Sequence, residues 1–266
     1  MCGQLGIIFG TKRRRQEDID HLTDIFTDLL VVSEARGRHA SGIAWLKTDG
    51  DGKVFKLPVP ASTLVCDPEY KSVLSQVDNS TTVLMGHTRW KTIGDERNNA
   101  NNHPQVSDLC LGTHNGTVTN ADYLFCRLGL PRYAEVDSEV IFRIADRAVR
   151  DGRIDTSMLA KRLSLCRGQM SAVISTWHDP ETVIFIKGDR PLEFRYHRRY
   201  KVLLYASEDR FLDAVLSTED GWTEVAIPKM HLIVLSCQSP MDYRMERFHA
   251  SGLSNGPMSG NRESLA

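Results

Sequence analysis

The opening stretch, Met1-Cys2-Gly3-Gln4-Leu5-Gly6-Ile7-Ile8-Phe9-Gly10, constrains this chain more than any other. Chain ends normally fray. Here Leu5-Gly6-Ile7-Ile8-Phe9 reads as a buried strand, so the fold has to begin inside its own core and hold its second residue still. Removal of Met1, which the small side chain of Cys2 permits, would leave a cysteine with both a thiol and a free α-amine. That puts a nucleophile and a base on one residue: thiolate is far more nucleophilic than thiol, and a terminal amine with a pKa near ~8 can take its proton. A small apolar cysteine that happens to be second would read the same way from this stretch alone.

Composition narrows the classes without naming one. A length of 266 residues suits one large domain or two small ones, and 41% hydrophobic against 25% charged residues indicates a globular core. The formal net charge of -1 gives no general attraction to nucleic acid or to an anionic membrane. The basic run Lys12-Arg13-Arg14-Arg15 is followed at once by Glu17, Asp18 and Asp20, and reads as a solvated loop before a helix. The cysteines at 2, 66, 110, 126, 166 and 237 are scattered, with no CxxC and no metal-site spacing, as expected of reduced thiols. No apolar run approaches the ~18 residues of a membrane span, and the start lacks a signal-peptide pattern. The cytoplasm is therefore the expected compartment.

Along the chain, Leu22, Phe26, Leu29 and Leu30 predict an amphipathic helix over about residues 18 to 33. The glycine-punctuated loop Arg36-Gly37 to Gly42 feeds a strand at Ile43-Ala44-Trp45-Leu46, onto which Lys53 to Leu57 folds back across Asp49-Gly50-Asp51-Gly52. A strand at Thr82 to Met85 ends in Gly86-His87-Thr88-Arg89-Trp90, followed by the polar loop Asn98 to Pro104. Abrupt strand ends of this kind are where sites are built. Leu109 to His114 reads as a strand running into an Asn115-Gly116 turn. Asp137 is placed to cap a second helix whose apolar face is Val140, Ile141, Ile144, Ala145 and Ala148. Further strands are expected at 170–176, 182–187, 202–205, 224–227 and 232–235, with a helix at 207–215 and a disordered polar tail at 251–266.

Taken in order, Met-Cys-Gly, Arg36-Gly37 to Gly42, Gly86-His87-Thr88-Arg89-Trp90, Asn101-Asn102-His103-Pro104, His114-Asn115-Gly116 and Asp137-Ser138-Glu139-Val140-Ile141 form a recognisable series. The chain resembles the glutaminase domain of class II glutamine amidotransferases, in particular that of glucosamine-6-phosphate synthase and amidophosphoribosyltransferase. Arg167-Gly168-Gln169-Met170, Gly188 to Leu192 and Tyr205-Ala206-Ser207-Glu208 extend the match, so it covers about residues 2 to 240. The resemblance implies an α+β N-terminal-nucleophile hydrolase, a four-layer αββα sandwich of two mostly antiparallel sheets, in a domain over 2–250. It implies that Cys2 attacks the side-chain amide of L-glutamine, forming a γ-glutamyl thioester and releasing ammonia. It assigns the oxyanion hole to Asn115 and Gly116, the substrate α-carboxylate to Arg89, its α-ammonium to Asp137, and the pocket lining to Trp90, Thr92 and His103. It implies no metal or organic cofactor for this half-reaction. His87 and His114 are expected to be packed, satisfied histidines.

The chain departs from the family pattern in places. His39 stands where an Asp often sits, and Lys91 and Ile93 replace a common small residue and a His. Family enzymes usually continue into an acceptor domain, which leads to the expectation of a separate synthase subunit receiving the ammonia. An amidase of the same fold acting on another amide, or a non-catalytic glutamine-sensing module, stays open at this point.

Overall fold

In the computed structural model, which describes residues 2–248, two antiparallel sheets stack face to face between helical layers. The seven-stranded sheet runs, in spatial order, Trp222–Glu224, Glu193–His197, Val202–Ala206, Gly3–Phe9, Thr81–Arg89, Ala40–Lys47 and Gly52–Leu57. The six-stranded sheet runs Ser239–Arg247, His231–Ser236, Asp179–Lys187, Gly168–Thr176, Cys110–Val118 and Gln105–Val106. The first strand thus lies in the middle of its sheet, paired with Val202–Ala206 on one side and Thr81–Arg89 on the other. Its backbone is hydrogen-bonded along both edges, which is what holds the chain start in place.

Strand alternation sorts the side chains into three apolar layers. Leu5, Ile7 and Phe9 point outward with Leu84 and Leu204, onto Leu22, Phe26, Leu29 and Leu30 of the helix Gln16–Ser33. Ile8, Val83, Met85 and Leu203 point inward and meet Leu111, Val173, Val183 and Phe185 of the other sheet. The outer face of that second sheet, with Ala172, Ile174, Ile184 and Ile186, is covered by Val140, Ile141 and Ile144 of the helix Glu139–Asp146. The αββα order follows from the central strands of each sheet carrying apolar side chains on both faces, so that each sheet has one face to bury against the other sheet and one against helices. Phe185 sits in the middle layer with its ring edge-on to Phe194 and Tyr205. Phe185→Ala is expected to cost ~3–5 kcal/mol of unfolding free energy, read from the urea midpoint, since it leaves a cavity that two rigid sheets cannot close.

Several sequence expectations need adjustment. Asn115-Gly116 is no turn: both lie within Cys110–Val118 and pair with Ser171 and Met170. Gly116 has φ +149, and a Cβ there would lie 1.9 Å from the carbonyl oxygen of Gln169, so the glycine allows a distorted strand rather than a reversal. The strand expected at 224–227 instead spans Trp222–Glu224. The strand Glu193–His197 and the edge strand Ser239–Arg247 were hidden by their charged residues, and on Ser239–Arg247 such charge keeps an open edge from pairing with other chains. Asp137 precedes the helix without capping it; the capping position is Ser138. The expected tail at 251–266 lies outside the described residues. Among the described residues, no helix is long and apolar enough to cross a membrane.

Candidate active site

The same alternation that builds the core delivers the site. Cys2 shares the inward parity of Gln4 and Ile8, and Arg89 that of Val83 and Met85. Register does the rest: Gly3 pairs with Thr88, so Cys2 and Arg89 end adjacent strands together. Asn115 has the inward parity of Leu111 on the opposite sheet. Gln4 locks the two sheets at this level, donating to Thr113 Oγ1 at 2.9 Å and accepting from Ser171 Oγ at 2.9 Å. The strand's inward parity turns the Gln4 amide toward the opposite sheet, where Thr113 and Ser171 supply the partners of this bridge. One step beyond it in each strand lie Cys2 and Asn115.

Cys2 is half-buried, with its Sγ 3.7 Å from the carbonyl oxygen of Trp90. Burial pushes its thiol pKa up, against the backbone of Trp90 and the nearby charges of Arg89 and Arg36. The group is therefore a thiol that needs a base. Arg36 is buried and fastens the residue, donating from Nε to the Cys2 carbonyl at 2.5 Å and pairing through Nη1 with Glu208. Despite its burial, Glu208 is held below the ordinary carboxylate range by Arg36 and Arg210. Next to it, Ser207 Oγ accepts from the Gln4 N–H at 2.8 Å. The segment Tyr205 to Glu208 thus clamps the start of the first strand, a role that the sequence alone did not assign to Arg36 or Glu208.

Asn115 is buried, and its side-chain Nδ2 has no hydrogen-bond partner among the described residues. An orphaned buried donor is rare and calls for an explanation. Asp137 is buried too; its carboxylate accepts from the Val118 N–H, and its charge is felt at both Arg89 and His114. Arg89 is buried with Nη1 on Asn102 Oδ1 at 2.8 Å and Nη2 on the carbonyls of Ile93 at 2.6 Å and Gly94 at 3.0 Å. Burial lowers its pKa, opposed by Cys2, Glu96 and Asp137.

His103 is stacked on His87 with ring centroids 4.2 Å apart, and neither of its nitrogens has a hydrogen-bond partner among the described residues. His87 uses Nε2 on the His114 carbonyl, and burial pushes its pKa down to about 3. His114 meets Ser138 Oγ through Nδ1 at 2.8 Å. His87 and His114 are packed as expected but not satisfied: Nδ1 of His87 and Nε2 of His114 are buried without a hydrogen-bond partner among the described residues. Trp90 is 49% exposed, with its ring edge-on to His39, and it is its carbonyl that meets the thiol. His39 also accepts from the Lys91 N–H through Nδ1 at 3.0 Å, which gives the unusual histidine a local part in holding this turn. Thr92 is exposed. Among the described residues, no group of three or more His, Cys, Asp or Glu side chains could hold a metal ion.

Two stacked antiparallel sheets between helices, with the chain start at the end of a central strand, define the N-terminal-nucleophile hydrolase fold. A solved structure of glutamine phosphoribosylpyrophosphate amidotransferase from B. subtilis superposes with a TM-score of 0.69 at 21% identity, over 94% of this chain and 50% of that one. No family model matches the chain. The glutamine–fructose-6-phosphate aminotransferase of Shouchella clausii is 30% identical over 198 residues, covering 72% of this chain and 30% of the relative. The 7-cyano-7-deazaguanine synthase of Sulfolobus acidocaldarius is 26% identical over 220 residues, covering 80% of this chain and 44% of the relative. The chain is a homologue of the class II glutamine amidotransferases, and it spans 30% of the length of the aminotransferase relative.

Proposed function

We propose that this chain hydrolyses the side-chain amide of L-glutamine, with Cys2 as nucleophile once Met1 has been removed. The observation that carries the reading is the convergence, at one end of the inter-sheet layer, of the Cys2 thiol, the Arg89 guanidinium and the unpartnered Asn115 amide. The freed α-amine takes the thiol proton, and the sulfur adds to the amide carbon. The resulting oxyanion is stabilised by Asn115 Nδ2–H and the Gly116 N–H. Collapse breaks the C–N bond, the protonated amine gives its proton to the leaving nitrogen, and ammonia departs from a γ-glutamyl thioester. Water, deprotonated by the same amine, then releases glutamate and restores the thiol.

Arg89 would bind the substrate α-carboxylate and Asp137 the α-ammonium, which selects an α-amino acid over other amides. Both hydrogens of Arg89 Nη2 are engaged by the Ile93 and Gly94 carbonyls, so a bidentate carboxylate would have to displace that segment. Trp90, Thr92 and His103 would complete the pocket wall. Arg89→Lys keeps the charge but loses the planar fork, and is expected to raise KM for glutamine by about tenfold or more with a smaller change in kcat.

The test is release of glutamate and ammonia from L-glutamine by protein whose intact mass shows that Met1 is gone. Absence of turnover together with absence of covalent labelling at Cys2 by a diazoketone analogue of glutamine would overturn the reading. The proposed setting is the cytoplasm, with the ammonia passed to an acceptor on a separate synthase subunit. Its signature would be a co-purifying synthase that raises glutamine turnover.

A further inference from the structure

Lys56 stands on Gly52–Leu57, the strand at the edge of the first sheet, with no direct place in the chemistry proposed above. Its Nζ donates to the carbonyl of Asn102 at 2.8 Å and to that of Pro104 at 2.9 Å. The segment between those carbonyls crosses directly over the paired residues Gly42 and Lys56. A Cβ on Gly42 would lie 2.4 Å from the His103 carbonyl oxygen and 2.5 Å from Lys56 Cβ, so the glycine lets the segment lie flat on the hairpin. Gln105 Nε2 donates to the same Asn102 carbonyl at 3.0 Å. The backbone of Asn102 is thus fixed from two sides.

Its side chain faces the site. Asn102 Oδ1 accepts from Arg89 Nη1 at 2.8 Å, while its Nδ2 is spent on the Glu96 carbonyl at 2.7 Å and on Asn99 Oδ1 at 3.0 Å. With both amide hydrogens engaged, the amide cannot flip without losing those bonds, so an oxygen is always presented to Arg89. Resting on the glutaminase reading above, we infer that Lys56 is a positioning residue for substrate recognition: by fastening Asn102 and Pro104 it keeps Asn102 on Arg89 and sets where the guanidinium meets the substrate carboxylate. Asn102 Oδ1 sits on Nη1, so it stays in place when a carboxylate displaces the Ile93 and Gly94 carbonyls from Nη2, and it fixes the orientation in which the guanidinium is presented; a guanidinium without that contact has none fixed. The lysine is kept at an electrostatic cost, since burial and the charge of Arg89 bring its pKa down to about 8.

The experiment compares Lys56→Met, which keeps the stem and removes the donors, with Lys56→Arg, which keeps a cationic donor. Lys56→Met is expected to raise KM for glutamine about tenfold with kcat within about twofold, and Lys56→Arg to recover most of that loss. A second readout is independent of turnover: labelling of Cys2 by the diazoketone glutamine analogue, which carries the α-carboxylate, against iodoacetamide, which does not. Lys56→Met should slow the first about tenfold and leave the second unchanged. Asn102→Ala cuts the next link and should give the same signature, which covers the case of a Lys56→Met protein that does not fold. Equal slowing of both reagents, or an unchanged ratio in an active wild-type background, overturns the positioning role alone. A wild-type protein with neither glutamine turnover nor preference for the amino-acid reagent overturns the glutaminase reading, and the role of Lys56 with it.

Discussion

Cys2→Ala is expected to reduce glutamine hydrolysis by at least about 10⁴-fold, to the limit of detection, because it removes the proposed nucleophile of the covalent intermediate. The structure makes this an unusually clean substitution. Cys2 is half-buried, its carbonyl is anchored by Arg36, and Gly3 onward is held by strands on both sides, so alanine leaves the backbone where it was. Thermal stability should therefore stay close to wild type while activity disappears. Burial raises the thiol pKa, so the proposed reaction calls for a base, the role given above to the α-amine. Protein that retains Met1 should consequently share the defect of the alanine variant although its thiol is intact. Glutamate release by Met1-retaining protein at the processed rate would remove the amine from the mechanism.

How much of this was legible in the sequence depends on the physical signal each feature leaves. The helix Gln16–Ser33 and the strands of the middle layer were readable because their apolar periodicity is strong over many residues. The placing of Cys2 at the end of a core strand was readable for the same reason. Asn115-Gly116 was misread as a turn, because the dipeptide has the same local preference whether φ > 0 serves a reversal or a distorted strand. Only the pairing with Ser171 and Met170, over fifty residues away, decides between them. Asp137 likewise has the local signature of a helix cap, yet its carboxylate turns to the Val118 N–H of a neighbouring strand. The clamps are the least legible part. Arg36 with Glu208, Gln4 with Thr113 and Ser171, and Lys56 with Asn102 each join residues far apart in the chain, and polar pairs leave no periodic trace.

Asn115→Ala is expected to lower kcat by about 10²–10³-fold with KM for glutamine changed by no more than a few-fold. The argument starts from the orphaned Nδ2. A buried amide donor without a partner costs roughly 1–3 kcal/mol in the resting protein, and a sequence under no functional demand could replace it with an apolar residue of similar size. Asn115 lies beside Gly116, whose φ of +149 twists the strand locally, and on the opposite sheet from Cys2 at the same end of the sandwich. On the proposed mechanism a donor so placed is idle until negative charge develops on the substrate oxygen, and its loss should therefore fall on kcat. The stability consequence has the opposite sign: removing an unsatisfied amide should leave the unfolding midpoint unchanged or slightly raised. Asn115→Asp separates the donor from mere occupancy of the space, since a carboxylate there offers no N–H and repels the developing oxyanion. It should be at least as slow as the alanine variant. A variant pair in which alanine retains near wild-type kcat would show that the oxyanion is stabilised elsewhere, and Nδ2 of Asn115 would be left as a buried defect with no catalytic use.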